Sequence, residues 1–213
     1  MNSFNPLVLV GVSVALALLP VLVGVGTCYL KLNIVLGMLR NGLGTQSVPG
    51  NMLCAVLALA LTAALMGPVV KQGARELEAH GDLKTLEKGD FSVLRHAAEP
   101  WRQFMLRHVG ASELQFAAEL NSEAAAEERS FFSVLLAFTL SELKESFAMG
   151  LALLLPFLVI DLVVSNILAG LGMFMMSPVM ISVPLKLLLF VSADGWLLLS
   201  KALVSSYGVE LRT

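Results

Sequence analysis

The first thirty residues contain no charged side chain, and this feature limits the possible folds most strongly. As an α-helix, the stretch from Leu7 to Leu30 would be about 36 Å long, more than the roughly 30 Å hydrocarbon core of a bilayer. No Lys or Arg precedes it to form the basic region of a cleavable signal peptide. The run therefore predicts a retained membrane-type helix, and Pro20 and Gly24 predict a kink near its end.

Charged residues divide the chain into three parts. In residues 1–70, a second apolar run (residues 52–70) follows a short polar connector whose only charges are Lys31 and Arg40. These features predict an N-terminal apolar helical hairpin. Because short basic loops tend to remain in the cytoplasm, the connector is expected inside and the outer ends of the hairpin outside.

Residues 71–132 form a polar segment with eight Lys or Arg and eleven Asp or Glu. Pro100 is predicted to start a helix that ends at Gly110, and Ser112 with Gln115 fits a capping box for the next helix, which would continue to residue 130. Because long loops cross membranes largely regardless of their charge, we expect this helical segment to be periplasmic.

Residues 133–213 predict a C-terminal apolar hairpin whose helices (about 141–171 and 184–206) flank a Met-rich turn at 170–184. Its helices carry charges in apolar surroundings, namely Glu142, Lys144, Glu145, Asp161, Lys186, Asp194 and Lys201. Charges in apolar helices normally face partners or water. They could pair inside one compact bundle or between neighbouring copies, and the short, interrupted hairpins favour neighbouring copies.

The composition of the chain excludes several classes of function. The chain is 57% hydrophobic and 14% charged with a net charge of −2, and its mean hydropathy is +0.81. This balance gives nucleic-acid binding no electrostatic basis. Cys28 and Cys54 fit neither a metal site nor a disulfide framework, and no pair of histidines shares a helix face. Since no catalytic or phosphate-binding motif is present, we expect no enzyme activity, cofactor or metal.

Several motifs together resemble one family. Residues 138–196 contain S-E-L-K, L-P-F-L-V-I-D, G-M-x-M, S-P-V and D-G-W in this order, and residues 39–70 and 99–108 extend the match. The chain is thereby similar to the SctR/FliP family of core export-gate subunits of type III secretion systems. The S-P-V spelling favours the virulence-type injectisome over the flagellar branch.

The resemblance implies an all-α membrane protein of kinked hairpins that assembles as a ring or helical oligomer of five copies. Implied partners are SctS-like, SctT-like and SctU-like subunits, membrane lipid, and unfolded secreted proteins as cargo. The implied function is to form the pore through which these proteins cross the bacterial inner membrane, without a catalytic site.

The family also implies that the Met-rich turn forms a gasket around the pore. The corresponding residues are Met173, Phe174, Met175 and Met176. Met is flexible and polarizable, so a ring of it could exclude water and still yield to a moving chain. The common family pattern has three consecutive methionines, whereas this chain inserts the stiffer Phe174.

The resemblance further implies ion pairs between neighbouring subunits through Arg102, Glu142 and Lys186. Lys144, Asp161 and Asp194 are candidates for further pairing, and both aspartates could instead cap or pair within one chain. An alternative function is that of an ion-coupled secondary transporter, which would bind protons at Asp161 and Glu142.

Overall fold

A computed structural model describes residues 6–44, 50–80, 92–120 and 131–209. These residues form α-helices and no β-strand, which confirms the all-α prediction for the described ranges. The helices are α1 (Pro6–Val25), α2 (Tyr29–Leu43), α3 (Asn51–His80), α4 (Ser92–Arg107), α5 (Ala111–Leu120), α6 (Phe131–Gly170), α7 (Val179–Ser192) and α8 (Gly195–Ser205).

The chain divides into two compact units, each built from two separate segments. Unit 1 comprises Met1–Leu30 and Ala63–Glu142, and unit 2 comprises Lys31–Thr62 and Leu143–Thr213. Helices α3 and α6 contribute residues to both units. The sequence-based division into residues 1–70, 71–132 and 133–213 concerns which parts lie in the membrane, and it stays a prediction.

The core of unit 1 joins α4 to the start of α6. Met105, Val134 and Phe138 are fully buried there. The Trp101 indole donates a hydrogen bond to the Gly26 carbonyl over 2.5 Å. A Cβ at position 26 would lie 2.8 Å from the Trp101 ring, so the backbone can approach the indole only because residue 26 is glycine.

Two predictions about helix starts in unit 1 are wrong. Helix α4 begins at Ser92 and continues through Pro100, because packing of its apolar face against α6 outweighs the hydrogen bond that proline cannot donate. Helix α5 already begins at Ala111, so Ser112 is a helical residue and not its cap. The Ser112 hydroxyl donates to Glu113 instead. The predicted extension beyond Leu120 lies outside the described residues.

The predicted connector of the first hairpin is largely helical. Residues 29–43 form α2, since its apolar side chains recur at helical spacing and are buried: Leu32, Val35, Leu36, Leu39 and Leu43. The break between α1 and α2 falls at Gly26–Cys28, two residues beyond the predicted kink at Gly24. The Thr27 hydroxyl accepts a hydrogen bond from the Tyr29 amide at the start of α2.

Helix α2 packs against α6 in unit 2. A Cβ at Gly42 would lie 2.7 Å from Leu154 and 2.8 Å from Phe157, so the absence of a side chain allows close contact between these helices. Helices α7 and α8 meet at a bend of 65°. Asp194 occupies the bend with a φ of 50°, and the rings of Phe190 and Trp196 pack edge to face across it, 5.2 Å apart.

Two described helices are long and apolar enough to cross a membrane, Asn51–Ala79 and Phe131–Gly170. The bent pair α7 and α8 would be a third span if it acts as one unit.

Candidate functional site

The Met-rich turn begins with a glycine-dependent stop of helix α6. The amide of Met173 donates to the Leu168 carbonyl over 2.9 Å, and the amide of Gly172 donates to the Ala169 carbonyl over 3.0 Å. Gly172 has a φ of 75°. These bonds define a Schellman motif, in which glycine adopts the left-handed conformation that ends a helix. The chain is thereby reversed, and α7 begins at Val179 directly after Pro178.

The apolar side chains of the turn are exposed. The Phe174 side chain is 82% exposed, Met175 is fully exposed, and Met173 and Met176 are about half as exposed as Phe174. Leu171 and Met180, which the sequence-based gasket did not include, are also exposed. The turn therefore exposes more apolar side chains than the four predicted residues, and no described part of the chain covers them.

An ion pair joins the two helices behind the turn. The Lys186 ammonium on α7 donates to the Asp161 carboxylate on α6 over 2.6 Å and to the Gly42 carbonyl over 3.0 Å. The Lys186 side chain is only 4% exposed, whereas that of Asp161 is 40% exposed. Asp161 lies nine residues before Gly170, so this pair connects α6 and α7 about 13 Å, along the helix, from the turn.

A second buried lysine binds the same long helix further from the turn. The Lys31 ammonium lies 2.6 Å from the Glu145 carboxylate and 3.5 Å from the Ser206 hydroxyl. It also lies 4.2 Å from the centre of the Tyr207 ring, a cation–π geometry. The Lys31 side chain is 1% exposed and that of Glu145 is 51% exposed.

This second pair was not predicted from the sequence. Lys31 was read as a charge of a polar connector, but it is a buried residue of helix α2. Glu145 was noted only as one of several charges in an apolar helix. The position of Lys31 at the start of an apolar helical pattern did indicate burial, and a buried lysine needs a partner of opposite charge. The partner is 114 residues away in sequence, however, and spacing alone does not identify it.

The other predicted pairing residues have different surroundings. Arg102 binds Glu99, one turn earlier on α4, at 3.2 Å. Glu142 is fully buried in unit 1, and Lys144 and Asp194 are exposed. The structure thus brings together Lys186 and Asp161 within one chain, and pairing of any of these residues between subunits stays a prediction.

The two carboxylates of the transporter hypothesis belong to different units. Glu142 is the last residue of unit 1, and Asp161 lies nineteen positions later, in unit 2. Within the described residues, no group of three or more His, Cys, Asp or Glu could hold a metal ion.

Comparisons with known proteins identify the family. The sequence profile of the FliP family matches residues 12–203. The chain is 43% identical over 199 residues to the surface presentation of antigens protein SpaP of Shigella flexneri, covering 89% of this chain and 91% of that protein. It is 40% identical over 200 residues to the Yop proteins translocation protein R of Yersinia pestis, covering 91% and 92%.

A third relative has a similar share of identical residues. The harpin secretion protein HrcR of Erwinia amylovora is 38% identical over 215 residues, covering 97% of this chain and 98% of that protein. The relatives are named for secretion, translocation or antigen presentation, and the similarity extends over both apolar parts and the polar segment between them. The chain therefore belongs to the SctR/FliP family, the type III secretion export-gate proteins.

Proposed function

We propose that this protein is a pore-forming subunit of the type III secretion export gate, through which unfolded proteins cross the bacterial inner membrane. Five copies assemble around an axis together with SctS-like, SctT-like and SctU-like subunits. The residues of the polar segment (71–132) lie on the periplasmic side. The observation that carries this proposal is the exposed apolar surface of the Met-rich turn.

The exposed apolar side chains of the turn indicate contact with another protein chain or with the lining of a pore. Contiguous exposed apolar patches mark interaction sites or ligand grooves, and Phe174 and Met175 are the most exposed residues of this one. If copies are related by an axis, the same turn from each copy lies at the same distance from that axis, and in our proposal this distance is short. The turns then form a closed apolar ring, and such constrictions exclude water and ions.

The chemistry of the ring fits a moving chain. Each methionine has three rotatable bonds and a polarizable sulfur, so the ring adapts to side chains of different shape without binding one tightly. Behind it, the Asp161–Lys186 pair and the Schellman motif hold the two helices and the turn in place. The site therefore combines a rigid support with a deformable tip.

The proposal is tested by removing the apolar bulk of the turn. In the triple variant Met173→Ala/Met175→Ala/Met176→Ala, cells producing the assembled gate should admit small solutes several-fold faster than cells with the unchanged protein. The control is Met52→Ala, which alters an exposed methionine on α3, away from the turn. Unchanged solute entry in the triple variant, with normal assembly, would rule out a gasket at this turn.

Assembly itself is measured by native mass spectrometry after co-expression with the partner subunits. Five copies of 22.8 kDa contribute 5 × 22.8 = 114 kDa. A stable monomer or dimer in the presence of these partners would contradict the proposal and favour the transporter hypothesis.

A further inference from the structure

We infer that Glu145 binds two lysines, Lys31 of its own chain and Lys201 on helix α8 of a neighbouring copy. The contact deepens the proposed function and rests on it, since it requires copies that lie side by side. It names a surface for this assembly on each copy, the α6 face beside Glu145 and the outer face of α8.

The first step is the unequal burial of the Lys31–Glu145 pair. The lysine is withdrawn from the surface, whereas half of the glutamate side chain is exposed. Only one carboxylate oxygen, Oε2, receives the Lys31 hydrogen bond. A carboxylate has about four acceptor positions, so the exposed edge can accept further donors.

The second step is the apolar surface around that edge. Ala148, Ala152 and Leu155 follow Glu145 on the same side of α6, and all three are exposed. A charge on an apolar, membrane-type helix is costly unless a partner or water faces it. The two alanines also allow another helix to approach closely, as small residues do between membrane helices.

The third step is an exposed lysine of opposite charge on another apolar helix. Lys201 lies on the outer face of α8 with the exposed Leu197 and Leu198, opposite the buried Leu199 and Leu203. Lys201 has no acidic residue three or four positions away in sequence. Among the described residues it forms no ion pair or side-chain hydrogen bond.

The fourth step is that the two groups lie within the reach of a lysine side chain of each other along the hairpin. The Lys31 ammonium contacts both Glu145 and Ser206, which places the end of α8 beside Glu145. Lys201 precedes Ser206 by five residues, about 7.5 Å of helix, which is close to the reach of a lysine side chain. Copies arranged side by side around an axis therefore present Lys201 near the level of a neighbour's Glu145.

The inference is tested by disulfide cross-linking one turn away from both charges, so that the Lys31–Glu145 pair stays intact. Ala148 and Leu198 lie three residues from Glu145 and Lys201, respectively, in the direction of the Met-rich turn. In the assembled gate, Ala148→Cys/Leu198→Cys should give dimers and higher multiples on oxidation. The matched control is Ala148→Cys/Leu188→Cys, which moves the second cysteine to a slightly more exposed position on α7.

Charge reversal provides an independent readout. Lys201→Glu places two carboxylates together and should lower the yield of the multi-copy complex by about tenfold, whereas Lys201→Arg should preserve it. Unchanged yield in Lys201→Glu would overturn the inference, and loss of bound anionic lipid in that variant would identify a headgroup as the partner instead.

Native mass spectrometry of the same samples separates the two proposals. A five-copy complex without cross-links between copies, or with a bond only inside one chain, overturns the Glu145–Lys201 contact and leaves the proposed function standing. A chain that forms no multi-copy complex contradicts both, and the unchanged protein shows this without any substitution.

Discussion

At the residue scale, two lysines and two carboxylates account for much of the charge in the apolar helices of unit 2. Lys31 and Lys186 are buried, and each binds one carboxylate of α6 at 2.6 Å. Sequence reasoning recognised that charges in apolar helices need partners. The family resemblance implied a contact between subunits for Lys186. Within the chain its ammonium binds Asp161 and the Gly42 carbonyl, and the contact between subunits stays a prediction.

Removing one member of the Asp161–Lys186 pair should destabilise unit 2 strongly. Asp161→Asn leaves the buried ammonium without a counter-charge, and the free energy of unfolding should fall by about 3 kcal/mol. Adding Lys186→Met should recover most of this loss, because a buried pair can often be replaced by apolar groups at little cost. The measurement is denaturant-induced unfolding in detergent micelles.

The matched control for this experiment is Asp194→Asn. Asp194 is exposed, and its carboxylate forms no ion pair or hydrogen bond with the described residues, so its change should stay within about 0.5 kcal/mol. If Asp161→Asn were as stable as Asp194→Asn, the ion pair would contribute nothing, and the double variant would then show no recovery.

At the element scale, apolar periodicity predicted helices well and their boundaries poorly. The hairpin helices around the Met-rich turn were expected, and α6 and α7 flank it. Helix α2 was read as a connector, because its two charges, Lys31 and Arg40, outweighed the regular spacing of its leucines. The start of α4 was predicted at Pro100 because proline is over-represented at the first position of helices, whereas tertiary packing allows the helix to include Pro100.

The reversal of the chain at the Met-rich turn should depend on one glycine. Gly172→Ala places a side chain at a φ of 75°, and this should cost about 1 kcal/mol and loosen the Schellman motif. Gly170→Ala is the matched control, because Gly170 is the last residue of α6 and a Cβ there meets nothing within 4 Å. It should be neutral or slightly stabilising.

Hydrogen exchange of the Met173 amide reports this change directly, since that amide donates to Leu168 in the motif. Exchange should be faster in Gly172→Ala and unaltered in Gly170→Ala. Equal protection in both variants would show that the turn does not need the left-handed glycine.

At the scale of the whole molecule, the sequence predicted an all-α membrane-type protein, and its motifs gave the family. The orientation in the membrane has less support than the sequence suggested. Lys31 was one of only two charges behind the positive-inside argument, and it is buried against Glu145. Its charge is therefore not available to the cytoplasm, and the expected orientation depends on Arg40 and on the length of the polar segment.

Cysteine labelling determines this orientation. Gln103 in the polar segment and Asn41 near the end of α2 are both exposed, whereas the native Cys28 and Cys54 are buried and should give little background. With a membrane-impermeant maleimide added to intact spheroplasts, Gln103→Cys should be labelled and Asn41→Cys should be labelled only after lysis. Labelling in detergent normalises for total thiol, and Ser112→Cys provides a second exposed position should Gln103 be covered in the assembly. If Asn41→Cys were labelled in intact spheroplasts and both polar-segment cysteines only after lysis, residues 71–132 would face the cytoplasm, since an impermeant reagent reaches only the outer side.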